Sequence, residues 1–173
     1  MHFKQTYTVR APAKFVYEWM TTPTTGDAAY TRGLKSREIT EVWKQLQNTT
    51  KDEGTLAGSA YTSKAVLRKY PPSHWRVEEE AGKWYHRTEF RVEETPGGAE
   101  LKVSMEILVR GWRRPFAGGF RRKFSADFEQ RIRGWVAKIE EEAKALPEGA
   151  YAPGPTKTKK AEGPRDIPKQ YGS

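Results

Sequence analysis

The order of hydrophobic periods along the chain predicts an α+β fold: an opening strand and helix, a run of antiparallel strands, and one long C-terminal helix. Two patterns carry this expectation. Apolar and polar residues alternate with period two over residues 2–9, 74–79, 84–93 and 99–109, as strands buried on one face require. From Phe116 the period changes: Phe120, Phe124 and Phe128 follow at four-residue intervals, and Ile132, Trp135, Ile139 and Leu146 continue a helical stripe. At 173 residues a single domain with a real core is expected. The folded part is read as residues 1–146 and a tail as residues 147–173.

In order along the chain, Phe3, Gln5, Tyr7 and Val9 alternate with Lys4, Thr6 and Thr8 in a first strand. Ala11-Pro12 opens a helix, with proline near its first turn and Phe15, Val16, Trp19 and Met20 as its apolar stripe. The polar run from Thr21 to Asp27 stops it, and a short helix through Ala28, Ala29 and Tyr30 follows. Residues 36–48 read as one strand, but Ile39, Val42, Trp43 and Leu46 do not keep one parity. A bulge or burial on both faces accounts for that. Asp52-Glu53-Gly54 signals a turn, and residues 55–69 read as the next strand.

The last hairpin can be registered from sequence. Thr95-Pro96-Gly97-Gly98 is its turn. Pairing Glu94 with Ala99 sets Phe90 opposite Val103, Thr88 opposite Met105 and His86 opposite Ile107, while Arg87 meets Glu106 on the outer face. A one-residue slip would exchange both faces. The long helix ends before Pro147, with Gly118, Gly119 and Gly134 weakening it locally by about 1 kcal/mol each relative to alanine.

Composition removes several function classes. Cysteine is absent, which excludes disulfides, thiol catalysis and cysteine-ligated zinc or iron–sulfur centres. Histidine occurs only at positions 2, 74 and 86, too scattered for a His-rich metal site, so no metal and no cofactor is expected. No apolar run approaches the roughly 18–20 residues of a membrane helix, and Met1 leads into Phe3-Lys4-Gln5-Thr6-Tyr7 without a secretory core. A cytoplasmic protein is expected. A single Asn (Asn48), no Cys and 18 Glu point to a thermophilic source. Mean hydropathy is low at −0.87, but six Trp, eight Tyr and seven Phe supply large buried areas.

The formal net charge of +9 is concentrated. Residues 110–133 hold eight basic residues (Arg110, Arg113, Arg114, Arg121, Arg122, Lys123, Arg131, Arg133) against Asp127 and Glu129. The basic residues stand at the start of the long helix and Glu140, Glu141 and Glu142 near its end, the reverse of what the helix dipole favours. The tail adds Lys157, Lys159 and Lys160 among five prolines and four glycines. With no periodicity of its own, it is expected to be disordered unless a partner holds it.

The run from Tyr7 to Met20, with its strand, Ala11-Pro12 break and helix bearing an aromatic pair, is similar to the opening of the SRPBCC superfamily. That superfamily includes START domains, Bet v 1 allergens and polyketide cyclases. Tyr70-Pro71-Pro72-Ser73-His74-Trp75-Arg76-Val77 resembles its central strand. The resemblance spans roughly residues 2–146. It implies a helix-grip fold, a curved antiparallel sheet wrapped around the long C-terminal helix, with a cavity for a lipophilic ligand between them. Members are carriers and binders, some are cyclases or hydrolases, and a few assist larger complexes. One departure is Thr21-Thr22-Pro23, where an acidic residue often follows the first helix.

Three functions stay open at this stage. The first is non-catalytic binding of a lipophilic or aromatic small molecule, lined by Trp75, His86, Thr88, Phe90, Met105, Phe120, Phe124 and Phe128. The second is an RNA-binding accessory of a ribonucleoprotein such as the ribosome, using Arg113, Arg114, Arg121, Arg122, Lys123, Lys157, Lys159 and Lys160 on phosphates. The third is a cyclase- or hydrolase-like enzyme, with inward His86 and Glu79 as an acid/base pair. Packing is the plainer role for an aromatic stripe and for an inward histidine, and solvation for a charged helix face.

Overall fold

A computed structural model describes residues 2–111 and 117–151. Seven strands form one antiparallel sheet: β1 His2–Val9, β2 Leu34–Trp43, β3 Gln47–Leu56, β4 Ser59–Tyr70, β5 His74–Ala81, β6 Trp84–Thr95 and β7 Gly98–Val109. Their spatial order is β1-β7-β6-β5-β4-β3-β2. Helix α1, Ala13–Met20, and a 3-10 helix, Thr25–Ala29, separate β1 from β2, and the long helix α2 is Ala117–Ala143. This is the expected α+β helix-grip arrangement, with the core between sheet and α2.

The β6–β7 register is the one derived above: Phe90 faces Val103, Thr88 faces Met105 and His86 faces Ile107. On the outer face Arg87 bonds Glu106 at 2.7 Å. Inward Trp84, Phe90, Leu101, Val103, Met105 and Ile107 are buried and pack with Phe124, Phe128, Ile132 and Ile139 of α2. Phe116, the first residue of the predicted stripe, lies outside the described residues.

Two strands were expected between the helices and residue 70, but three are present. The predicted strand 36–48 ends at Trp43, and the chain reverses through Lys44 and Gln45, whose φ values are 46° and 57°. Such turns usually carry Asn or Gly, so Lys-Gln gave no signal. Val42 and Trp43, read as strand core, sit at the exposed tip, 61% and 51% accessible. The expected parity break is a bulge, with register shifts at Leu34/Ser36 and Ile39/Glu41.

Asp52-Glu53-Gly54 is not a turn. It lies within β3, and the reversal into β4 occurs at Ala57-Gly58, again with positive φ. Gly54 answers a different need: a Cβ there would lie 2.0 Å from the Gly33 carbonyl oxygen. Only Gly allows that approach.

The acidic end of α2 also has a structural reason. Glu140 accepts the Arg10 backbone N–H at 2.9 Å and pairs with its guanidinium. Glu142 accepts the Trp19 indole N–H at 2.7 Å. These carboxylates tie α2 to the β1–α1 connection, which outweighs the fractional kcal/mol of an unfavourable dipole. Beyond residue 146 an exposed turn over residues 147–150 brings Tyr151 against α1, where its ring meets Phe15 at 5.6 Å and its hydroxyl donates to Glu18 at 2.7 Å. None of the helices among the described residues is long and apolar enough to cross a membrane.

Candidate functional site: an interior cavity with a charged wall

Between α2 and strands β2–β6 lies a cavity of about 90 Å³. One wall is aromatic. Trp75 of β5 and Phe90 of β6, cross-strand neighbours, stack with centroids 5.1 Å apart and planes 4° from parallel. Phe128 and Trp135 face them from α2. Trp19, Met20, Pro23 and Tyr30, from the end of α1 and the segment after it, form the edge nearest solvent.

The remaining wall is polar. Glu79 and His86 are opposite each other on β5 and β6, and His86 Nε2 lies 2.8 Å from a Glu79 carboxylate oxygen. The other oxygen accepts the Ser63 hydroxyl at 2.6 Å, while His86 Nδ1 lies 3.0 Å from the Thr88 hydroxyl. Burial alone would raise the Glu79 pKa. The hydrogen bond and charge of His86, with the charge of Arg131 and the Ser63 hydroxyl, reverse this and hold it at about 2. Both His86 nitrogens and both Glu79 oxygens are therefore occupied within the protein.

A second polar group lies on β2 and β3. Arg37 donates from Nε and Nη2 to Asp52 at 2.9 and 2.6 Å, and from Nη1 to Asp27 at 2.6 Å. Asp27 also accepts the hydroxyls of Tyr30 and Thr24, which fastens the 3-10 helix to the sheet. Burial works to lower the Arg37 pKa, and the two carboxylates more than offset it, so it stays charged. Asn48 and Thr50 of β3 complete this wall with Arg131 of α2.

Of the residues expected to line a ligand, Trp75, His86, Phe90 and Phe128 border this cavity. Thr88 is buried behind His86, Met105 is buried in the core, and Phe124 packs on Trp84 and His86 at 5.1 and 5.6 Å. Phe120 is partly buried against Phe124. These side chains fill the interior, so its void is well below the roughly 300–1,000 Å³ of ordinary ligand pockets. Asp27, Arg37, Asn48, Thr50 and Arg131 were not foreseen. For Arg131 a signal existed: it stands three residues after Phe128 and one before Ile132, inside the apolar stripe.

The basic stretch divides. Arg110 pairs with Glu80, Arg133 with Glu129, and Arg131 is buried. Arg122 and Lys123 are exposed and Arg121 is partly buried. Glu78, Glu89 and Glu93 pair instead with Arg68, Arg76 and Lys102. Arg113, Arg114, Lys157, Lys159 and Lys160 lie outside the described residues. No group of three or more His, Cys, Asp or Glu among the described residues could hold a metal ion.

The architecture is shared with solved structures of low sequence identity. The di-domain aromatase/cyclase BexL of the BE-7585A biosynthetic pathway superposes with a TM-score of 0.69 at 16% identity over 85% of this chain, which spans about half (51%) of that protein. The Zhui aromatase/cyclase from Streptomyces sp. R1128 gives 0.68 at 19% identity, with 83% of this chain and 93% of that one covered. A START superfamily protein from Mycobacterium smegmatis gives 0.61 at 12% identity, covering 84% and 99% of the respective chains. Neither a family model nor a curated protein sequence matches the chain. The chain thus shares the helix-grip fold of these proteins, and at these identities the likeness is one of fold.

Proposed function

We propose that this protein binds a small molecule with an aromatic or lipophilic body in the cavity between sheet and α2. The observation that carries the reading is an interior space lined by Trp75, Phe90, Phe128 and Trp135 together with hydrogen-bonding groups. Apolar walls with a few placed polar groups are the usual composition of a ligand site. The fold supports the reading too, since similar structures include aromatase/cyclases and a START superfamily protein. At about 90 Å³ the space is smaller than the roughly 150 Å³ of a cavity that takes up benzene. Binding therefore requires the part-buried Trp19 and Met20 at its edge to move.

Binding is favoured over catalysis because the Glu79–His86 pair is closed on itself. A general acid or base must reach the proton it transfers, and here each candidate atom already has a protein partner. The test is native mass spectrometry of the protein from its source, with tryptophan fluorescence titrations using single-ring aromatic compounds. A co-purifying small molecule or saturable quenching is expected. Absence of both, up to millimolar compound, overturns the reading.

A further inference from the structure

Arg131 is a buried cation without a carboxylate of its own. It stands on α2, is 3% exposed, and lines the cavity. Its Nε donates to the Arg32 carbonyl at 3.0 Å and its Nη2 to the Tyr61 hydroxyl at 3.3 Å, both neutral acceptors. A guanidinium has five N–H donors, and Nη1 has no protein acceptor among the described residues.

The other charged groups of the cavity wall are accounted for locally. Asp27 shares Arg37 with Asp52, and Glu79 is held by His86. Glu79 and Arg131 act on each other through their fields without an ion pair. A buried charge is costly unless it is paired and hydrogen-bonded, and a guanidinium is the side chain best shaped to take two oxygens of one anion.

We infer that the ligand of this cavity carries an oxyanion, an aromatic carboxylate or the like, and that Arg131 receives it from the helix side while Trp75 and Phe90 hold the ring. The inference rests on the binding function proposed above and adds the charge of the ligand to it. Its geometric basis is that Arg131, on α2, lines the same cavity as the stacked Trp75 and Phe90 of the sheet, with both of its described hydrogen bonds going to neutral acceptors. The roles are separate: the aromatic wall supplies contact area, and Arg131 supplies discrimination between acid and neutral compounds.

Benzoate and benzamide have nearly the same shape and differ in charge, so they separate the two ideas. Isothermal titration of the full chain with each is the experiment. Benzoate is expected to bind about tenfold or more tightly than benzamide, the scale of one charge-assisted hydrogen bond against a neutral one. In Arg131→Gln that ratio should fall to about one, while Arg131→Lys should keep part of it. Should Arg131→Gln not fold, the Nε–H signal of Arg131 in the wild-type NMR spectrum remains a readout. It should shift saturably with benzoate, and further than with benzamide at equal occupancy. Equal affinities in the wild type, or an unmoved Arg131 signal under saturating benzoate, overturn the inference and leave the binding function standing. Absence of binding by both compounds overturns the inference, and the binding function then falls too if nothing co-purifies and no other single-ring compound quenches.

Discussion

Strands β6 and β7 belong to the same sheet as β2 and β3, yet the two ends are held by opposite chemistries. Toward β6 and β7 the buried face is Trp84, Phe90, Val103, Met105 and Ile107 against Phe124 and Phe128, dry apart from Thr88 and the Glu79–His86 pair. Toward β2 and β3 it is Asn48, Thr50 and Asp52, organised around Arg37. The dry end draws its stability from burial in proportion to area. The polar end depends on a few hydrogen-bonded charges, each of which is costly to leave without its partner. A cavity with both aromatic and charged walls exists because it lies where the two regimes meet.

Removing one residue from each end sharpens the contrast. Arg37→Ala strands Asp27 and Asp52 in the interior and should cost about 5 kcal/mol, the upper end of the range for breaking a buried ion pair. Phe124→Ala should cost about 4 kcal/mol through lost burial and a new void. Urea unfolding measures both. The distinction lies in rescue: lowering the pH to protonate the stranded carboxylates should recover part of the Arg37→Ala loss and none of the Phe124→Ala loss. Equal pH responses of the two variants would break the comparison.

The next effect is acid sensitivity at the junction. Glu79 is held at about 2 in the folded protein against a usual 4.5. A depressed carboxylate contributes stability that is fully present above the unfolded value and is lost as pH falls toward the folded one. The contribution is on the order of 3 kcal/mol, and it should disappear between about pH 5 and pH 2. Glu89 and Glu140, also held below their usual values, add to it with the same sign but are more solvent-screened. Thermal melts of wild type and Glu79→Gln across this window check it. The variant should start less stable and lose distinctly less on acidification; parallel curves would remove Glu79 as the source.

The same division explains what could be read from sequence. In the dry half, period two and period four are visible because burial selects apolar side chains at most inward positions. The β6–β7 register was therefore legible to the residue, and so was the α2 stripe from Phe120 to Ile139; Leu146, expected to continue it, lies beyond the helix end at Ala143. In the polar half that selection is absent. Strand β3 reads Gln-Asn-Thr-Thr-Lys-Asp-Glu-Gly-Thr-Leu, and four of its five buried positions are polar, with Asp52 bonded to Arg37 and Asn48 to the Thr21 carbonyl. Its turns use Lys44-Gln45 and Ala57-Gly58 in place of Asn-Gly. No hydrophobic pattern marks such a strand; only the Thr content and the spacing of Asn48, Thr50 and Asp52 do. The Glu79–His86 contact was legible because it sits on strands whose register the neighbours fix. Arg37 was not, because a buried arginine looks like a surface one until its partners are known; Arg131 was marked only by its place inside the apolar stripe of α2.

The smallest effect compares the two faces of the sheet with the same chemistry. Arg87–Glu106 on the outside and Arg37–Asp52 on the inside are both cross-sheet arginine–carboxylate bonds, at 2.7 and 2.6 Å. Distance does not separate them; solvent does. Both outer side chains are nearly half exposed, so water screens the pair and competes for its donors, and the chain entropy of two long side chains offsets much of the gain. Arg87→Ala should cost less than about 1 kcal/mol, and added salt should erase most of that within the Debye screening of the surface. Arg37→Ala should keep nearly all of its cost in the same salt, because its partners lie out of reach of mobile ions. Unfolding midpoints of the two variants at low and high sodium chloride measure the difference. A strong salt dependence for Arg37→Ala would mean that the polar wall is open to solvent, and that the cavity behind it is an extension of the surface.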